Sequence, residues 1–522
     1  MDEPILSTPL ARAILASYKK GEEDELLEPL VLVDKAGNQI GRIKEGDSVI
    51  FYDIRGEREI ELTEALTDPG FSHFPSMDLG LSFVTMIRYR KGLGVREAFP
   101  PLEKLKNTLC EVLSNRSKRI RKITEAEKAI HLSYFLNGKS EESFENEERV
   151  ILPTRKDVAT FDQAPQMSAE LVTKAACEAL ADKAVDAVIV NLCNVDVVGH
   201  FENEGSVLKA IETVDESLGK MISCARQNDA TSVITADHGT VERWLYPEGT
   251  VDTGHTKSPV PFIVDADGSF TVTDGELSDV APTVLHLLGI EKPCEMTGKT
   301  LIDGSAPRAK RILLVILDGW GHNDGDYGNM IAKARTPSFD SLWSSRPHCV
   351  LKAAGTAVGL PERSVGNSEV GHLHIGAGRH VPSDRVRIDS AIADGAFMQN
   401  EAFLWAIEEA KSRRSSLHLL GIVSFYSSHG SITHLEALMR LCKERDVDNF
   451  FIHAMLGRRG ERPMAGARYI GMIEDECLKI GRGKVAGVIG RYWSLDREEN
   501  WRRIERTYRW LLEGHGTRII DS

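Results

Sequence analysis

Seven short apolar runs, rich in β-branched residues and closed by polar or glycine-rich turns, constrain this chain more than any other feature. They are DSVIFYDIR (47–55), DAVIVNLCNVD (186–196), TSVITADHG (231–239), RILLVILDGWG (311–321), LHLLGIVSF (417–425), NFFIHAML (449–456) and KVAGVIGRYW (484–493). A strand apolar on both faces has no side to give to water. Such strands belong in mainly parallel sheets covered by helices. Stretches with helical spacing, such as 168–184 and 432–446, lie between them. The expected class is therefore α/β. At 522 residues the chain is long enough for two or three domains. The stretch GKSEESFENEER (138–149) reads as a charged surface loop and DGSAPRAK (303–310) as a linker.

In sheets of this kind functional groups collect beyond the carboxyl ends of the strands. There the sequence places Asp196 and, four residues on, His200; Asp237 and His238; and Asp318, with His255 downstream in TGHTKSPVPF. Singly, each Asp reads as a turn or helix cap and each His as a packed or surface residue. Together they bring carboxylates and imidazoles to one sheet edge, where like charges repel and divalent cations resolve the repulsion. Oxygen and nitrogen ligands without thiolate favour Mn²⁺, Zn²⁺, Co²⁺ or Mg²⁺. VGNSEVGH (365–372) then gains a second meaning. Locally Ser368 reads as a helix cap. Beside a dinuclear centre its hydroxyl loses a proton more easily and becomes a nucleophile for phosphorus. The helix start also favours a phosphoryl group.

Composition narrows the partners. The chain is 42% apolar and 27% charged, with net charge −14, which argues against a nucleic-acid surface built on bulk positive charge. No apolar run is long enough to span a bilayer, and the first residues lack the layout of a signal peptide. The eight cysteines, at 110, 177, 193, 224, 294, 349, 442 and 477, form no CxxC pair. They read as free, mostly buried thiols of a cytoplasmic protein.

VILDGWG, GLPERSVGNSEVGHLHIGAGR, VDVVGH, ITADHG and DVAPTVLHLLGIEKPCEMTGKTLI together resemble the cofactor-independent phosphoglycerate mutases, metal-dependent members of the alkaline phosphatase superfamily. The resemblance covers nearly the whole chain, but in another order: in the family the ILDGWG strand comes first and ITADHG late. The chain is thus similar to a circularly permuted member. The resemblance implies an alkaline-phosphatase-like domain at 103–382 and an α/β phosphotransferase-like domain split between 1–102 and 383–522. It implies no organic cofactor, two divalent metals with Mn²⁺ foremost, and a monomer acting on a small phosphorylated acid.

Carried over by motif, Asp196, His200 and His255 would hold one metal, and Asp237, His238, Asp318 and Ser368 the other. Ser368 would become the transient phosphoserine. Arg55, Arg58, Lys128, Arg459, Arg491 and Arg497 would bind the anionic substrate, and His429 would contact it. Two loops depart from the family. SFYSSHGS (424–431) stands where SDGGVHSH is usual, and LGRRG (456–460) where a TDGRD-type loop is usual. Arg459 is kept, but Gly457 and Gly460 replace two aspartates, the second of which lies beside the substrate hydroxyl in the family; Glu461 is one position away. Three readings stay open: a phosphoglycerate mutase, a phosphatase or phosphotransferase acting on another small phosphorylated or phosphonate acid, and a non-catalytic binding relative.

Overall fold

Each apolar run folds as a strand. In a computed structural model, which describes residues 5–102, 104–305, 308–425, 427, 429–457 and 464–521, every residue of Ala187–Leu192, Arg311–Leu317 and Leu417–Ile422 is buried. The chain divides into two units. One is continuous, Leu102–Val386. The other joins Met1–Pro101 to Arg387–Ser522.

The continuous unit is built on an eight-stranded sheet. In spatial order its strands are Gly275–Glu276, His348–Lys352, Val260–Asp265, Ala230–Thr235, Arg311–Leu317, Ala187–Leu192, Ile120–Glu125 and Glu147–Leu152. Arg311–Leu317 runs parallel to both its neighbours, Ala230–Thr235 and Ala187–Leu192. Ile120–Glu125 continues the parallel set, and Val260–Asp265 is antiparallel. Asp318, Asp237 and Asp196 therefore leave neighbouring strands at the same edge.

Three local expectations change. The charged stretch 138–149 is not all loop, because Glu147 begins an edge strand paired in parallel with Ile120–Glu125. The charged residues Glu147, Glu148 and Arg149 suit an edge strand, which has one wet side. The linker 303–310 begins as strand too: Ile302–Ser305 pairs antiparallel with Ser269–Val272, while Ala306 and Pro307 lie outside the described residues. Finally, not all cysteines are free. Cys177 and Cys224 form a disulfide joining the packed helices Ala169–Ala181 and Glu204–Gln227. Their Cα atoms are 5.6 Å apart, within the usual range, although 47 residues separate them in sequence. The proximity comes from helix packing, which spacing does not reveal.

The discontinuous unit carries its own eight-stranded sheet. Its order is Thr517–Ile520, Leu30–Val33, Lys484–Gly490, Phe450–Leu456, Leu417–Ile422, Ser48–Phe51, Ser82–Ile87 and Arg96–Phe99. Leu30–Val33 runs antiparallel to Lys484–Gly490, and the five pairings from there to Arg96–Phe99 are parallel. Among the described residues no helix is long and apolar enough to cross a membrane.

The bridge is checked by counting thiols. Unfolded without reductant, the protein should yield six reactive thiols, and eight after reduction. Cys177→Ser should cost about 2–4 kcal/mol of stability, the usual worth of a bridge closing a loop of this length. Eight thiols before reduction would refute the pairing.

Candidate metal centre

Asp318 follows the central strand directly, and Asp237 and His238 follow its neighbour. Asp196 sits on the short helix Asn194–Gly199 beyond the other neighbour. Gly319 makes this crowding possible. Its φ is +81°, and a Cβ there would fall 2.7 Å from Asp196 Cα. Only glycine allows that approach, and Asp196 N–H donates to the Asp318 carbonyl at 3.1 Å.

Ser368 is the first residue of the helix Ser368–Ala377, but it is not the cap. Asn367 takes that role, its side chain accepting from Val370 N at 3.1 Å. The Ser368 hydroxyl is thereby left for other contacts. Its Oγ lies 2.5 Å from Lys128 Nζ, 3.0 Å from His238 Nε2 and 3.3 Å from Asp318 Oδ1. The helix packs on the adjacent turn so closely that a Cβ at Gly371 would fall 2.5 Å from the Asp237 carbonyl oxygen.

Among the described residues, three groups of side chains have ligand atoms within 4.8 Å of one another: Asp196, His200 and His255; Asp196, His238 and Asp318; and Asp237, Asp318 and His372. At an effective dielectric constant near 20, each pair of like charges about 4 Å apart costs about 4 kcal/mol. Three buried carboxylates need positive charge close by. Lys128 supplies one, at 2.7 Å from Asp196 and 2.8 Å from Asp318. Burial alone would lower the Lys128 pKa, yet Asp318, Asp196 and Asp237 raise it. His238 is likewise opposed by burial, and Asp237, Asp318 and Asp196 push it up to about 10. Asp196 shows the reverse balance: burial raises it, and Lys128 with the surrounding imidazoles holds it well below the ordinary range.

This donor set fits divalent cations. Asp196 Oδ1 and His255 Nε2 are buried 3.1 Å apart without a hydrogen bond, and Asp237 Oδ2 is likewise buried with none. The other ring nitrogens are anchored: His200 Nδ1 on Thr253 O at 2.7 Å and His255 Nδ1 on Gly366 O at 3.0 Å. Such outer bonds fix the tautomer that turns Nε2 toward a metal.

All seven metal candidates named from the sequence, Ser368 included, fall in this cluster. Lys128, named as a substrate-binding residue, lies among them, with Nζ hydrogen-bonded to Asp196, Asp318 and Ser368. His372 was missed, though it closes the quoted VGNSEVGH. It stands one helical turn after Ser368, so it shares that residue's face. Its Nδ1 is 3.2 Å from Asp237 Oδ2.

The remaining candidates belong to the discontinuous unit and again follow carboxyl ends of strands. His429 Nδ1 lies 2.8 Å from Glu59 Oε1, and both side chains are buried. Asp53 lies against Glu59, with Oδ1 accepting from Ile422 N at 2.8 Å. Burial foremost lowers the His429 pKa to about 4, aided by the charges of Arg491, Arg55 and Arg58. Arg497 meets Glu57, which also pairs with Arg55. Asp53 and Glu59 were not singled out from the sequence, where they frame the arginines of DIRGERE as one more charged turn. Arg459, Gly460 and Glu461 lie outside the described residues, as do Tyr426 and Ser428 of the other altered loop. Gly457 is described: its φ is +107° and a Cβ would fall 2.6 Å from Glu25 Cα. An aspartate does not fit there.

Two measurements check these electrostatics. Mn²⁺ should raise the unfolding midpoint, and Asp318→Asn should weaken Mn²⁺ binding in calorimetry by more than about 100-fold, the upper range for mere outer-shell partners. Burial chiefly raises the Glu59 pKa from 4.5 to about 8. A folded-state pKa above the unfolded one gives stability that is present below pH 4.5 and lost as pH rises to about 8. Glu59→Gln should therefore flatten the decline in stability across that window.

Two family models match separate stretches of the chain, the first of them crossing the boundary between the two units. The model described as Metalloenzyme superfamily matches residues 31–292, and the one described as BPG-independent PGAM N-terminus matches residues 388–522. The 2,3-bisphosphoglycerate-independent phosphoglycerate mutase of Listeria monocytogenes serotype 4b (strain F2365) is 40% identical over 292 residues, 55% of this chain and 57% of that protein. That of Clostridium botulinum (strain Langeland / NCTC 10281 / Type F) is 43% identical over 289 residues, 55% and 56% of the two chains. The chain thus spans about half the length of the curated relatives it matches. A solved Leishmania mexicana phosphoglycerate mutase at low cobalt concentration is 28% identical, covering 52% of this chain and 53% of that one, with a TM-score of 0.38. With half of its length matched by that superfamily's model and its carboxylates and imidazoles gathered at one sheet edge, the chain belongs to the metalloenzyme superfamily.

Proposed function

We propose that this chain is a phosphoglycerate mutase that interconverts 3-phosphoglycerate and 2-phosphoglycerate through a phosphoserine at Ser368. The observation that carries the reading is the setting of Ser368 Oγ, which touches Lys128, His238 and Asp318 at a helix N-terminus. The names and identities of the Listeria and Clostridium relatives support it. Two divalent cations, Mn²⁺ foremost, held by Asp196, His200 and His255 and by Asp237, His238, Asp318 and Ser368, would supply Lewis-acid stabilisation of phosphoryl oxygens and ease ionisation of the serine.

The chain's own residues do the rest. Lys128 Nζ, hydrogen-bonded to Ser368 Oγ, stabilises the attacking oxygen as it loses its proton. The free amide N–H groups of the helix start donate to phosphoryl oxygens. Arg55, Arg58, Arg491, Arg497 and Arg459 bind the carboxylate and phosphate, for which guanidinium offers paired donors. His429 handles the proton of the substrate hydroxyl. We read the chain as circularly permuted: the match described as an N-terminus falls at residues 388–522, after the segment matched by the metalloenzyme model. A second reading, a phosphatase or phosphotransferase for another small phosphorylated or phosphonate acid, draws on Gly457, where the backbone excludes the family's aspartate.

The two readings separate in one assay. With Mn²⁺ and 3-phosphoglycerate, a mutase yields 2-phosphoglycerate with little free phosphate, whereas hydrolysis alone, or inertness toward phosphoglycerates with turnover of another acid, selects the second reading. Ser368→Ala should abolish both products, a loss of at least about 10³-fold, and leave the fold intact. A wild-type rate in that variant would reduce Ser368 to the opening residue of its helix.

A further inference from the structure

The mutase reading needs an acid in one half-reaction and a base in the other, and the discontinuous unit holds a pair suited to both. We propose that Glu59 is a positioning residue that sets the tautomer of His429 and stores its proton between the two half-reactions. The proposal rests on the mutase reading and adds to it a residue that the sequence did not suggest.

The geometry is specific. Glu59 opens the turn into the helix Ile60–Thr67, where Oε2 accepts from Arg58 N at 3.1 Å while Oε1 faces His429 Nδ1 at 2.8 Å. His429 is fixed on its other side by its backbone, since its N–H donates to Ser427 Oγ at 3.0 Å. Its Nε2 makes no hydrogen bond among the described residues, so one ring nitrogen is committed to Glu59 and the other is left to a ligand. Among the described residues, Asp53, Glu57, Arg55, Arg58 and Arg491 are charged or titratable groups that act on this pair, and Tyr89 in turn feels Glu59. Burial and Glu59 push Asp53 well above the ordinary carboxyl range. Glu59, raised to about 8, has both states within reach near neutral pH.

With the proton on Glu59, its O–H donates to Nδ1 and the ring carries its hydrogen on Nε2. When Ser368 Oγ, ionised before the cycle begins and released again as the alkoxide at its end, bonds to phosphorus and the P–O bond to the substrate breaks, the departing oxygen takes the Nε2 proton. Nδ1 then takes the proton of Glu59. The resulting carboxylate accepts from Nδ1–H, and Nε2 has a free lone pair. In the second half the other substrate hydroxyl gives its proton to Nε2 as its oxygen bonds to phosphorus and the P–Oγ bond breaks. Nδ1 returns its proton to Glu59, and the pair ends as it began.

Nuclear magnetic resonance of ¹⁵N-histidine-labelled protein, with His429 assigned by loss of its signals in His429→Gln, tests the tautomer without relying on activity. In the wild type the hydrogen should move from Nε2 to Nδ1 as pH rises through about 8. In Glu59→Gln and Glu59→Asp that transition should be lost or displaced, with cooperative unfolding retained. Interconversion of the phosphoglycerates should fall about 10²-fold or more in Glu59→Gln. A transition that persists in both variants, a ring that holds one tautomer from pH 6 to 10 in the wild type, or full interconversion by Glu59→Gln overturns the proposal. If the wild type interconverts nothing while the transition follows Glu59, the mutase reading fails and the tautomer assignment stands.

Discussion

The repulsion among Asp196, Asp237 and Asp318 governs the continuous unit. Folding brings three carboxylates to one buried edge because adjacent parallel strands end there, and the energy of that convergence is unfavourable unless cations meet it. Lys128 and His238 are drawn in by that field, and both pKa values rise against the effect of burial. The backbone is adapted to the same end. Gly319 lets the turn carrying Asp196 approach the turn after Asp318, and Gly371 lets the serine helix settle on Asp237. Ser368 is useful because these constraints, none of which concerns the serine itself, hold its oxygen beside an ammonium and an imidazole.

Much of this was legible because it depends on strand ends. An apolar run fixes where a strand stops, and the polar residue just beyond it must lie at the carboxyl edge. That is why Asp196, Asp237, His238 and Asp318 could be named before any coordinates. Packing between distant segments was less legible. The Cys177–Cys224 bridge depends on which faces of two helices meet. Assigning the cap to Asn367 rather than Ser368 turns on a one-residue shift of the helix start, the least certain feature of any sequence reading. Lys128 looked like one more cation for an anionic substrate. Its place among carboxylates follows from strand order, with Ile120–Glu125 next to Ala187–Leu192, which the chain order does not disclose.

Glu59 escaped notice for a different reason. A glutamate among arginines in DIRGERE is ordinarily a solvated charge, and nothing local signals burial. What buries it is the pairing of Ser48–Phe51 with Leu417–Ile422, which brings the segment after one strand against the loop after the other. Gly457 follows a third strand of the same set, and there the backbone leaves no room for a side chain, since Glu25 occupies the space. A carboxyl group cannot be added at that position, but the same sheet edge already holds two others.

The same unit contains a control for this interpretation. Asp47 and His418 form another buried carboxyl–imidazole pair, 3.0 Å apart, at the amino ends of the strands. His418 Nδ1 lies 2.9 Å from Nε2 of His453, whose ring meets Trp510 edge-on. Asp47 also accepts from Ser416 N at 2.9 Å and Lys44 N at 2.8 Å. Burial alone would raise its pKa, yet these donors together with His418 lower it. It is therefore a fixed carboxylate that staples strands together. Glu59 has backbone N–H groups of Arg58 and of its own residue facing it, the Asp53 carboxyl group beside it and an imidazole, yet burial prevails. Two pairs of like composition thus behave differently because at Asp47 the bond to His418 together with the backbone donors outweighs burial, whereas at Glu59 burial outweighs the donors. The Asp47 pair holds its charge, and the Glu59 pair is free to exchange a proton.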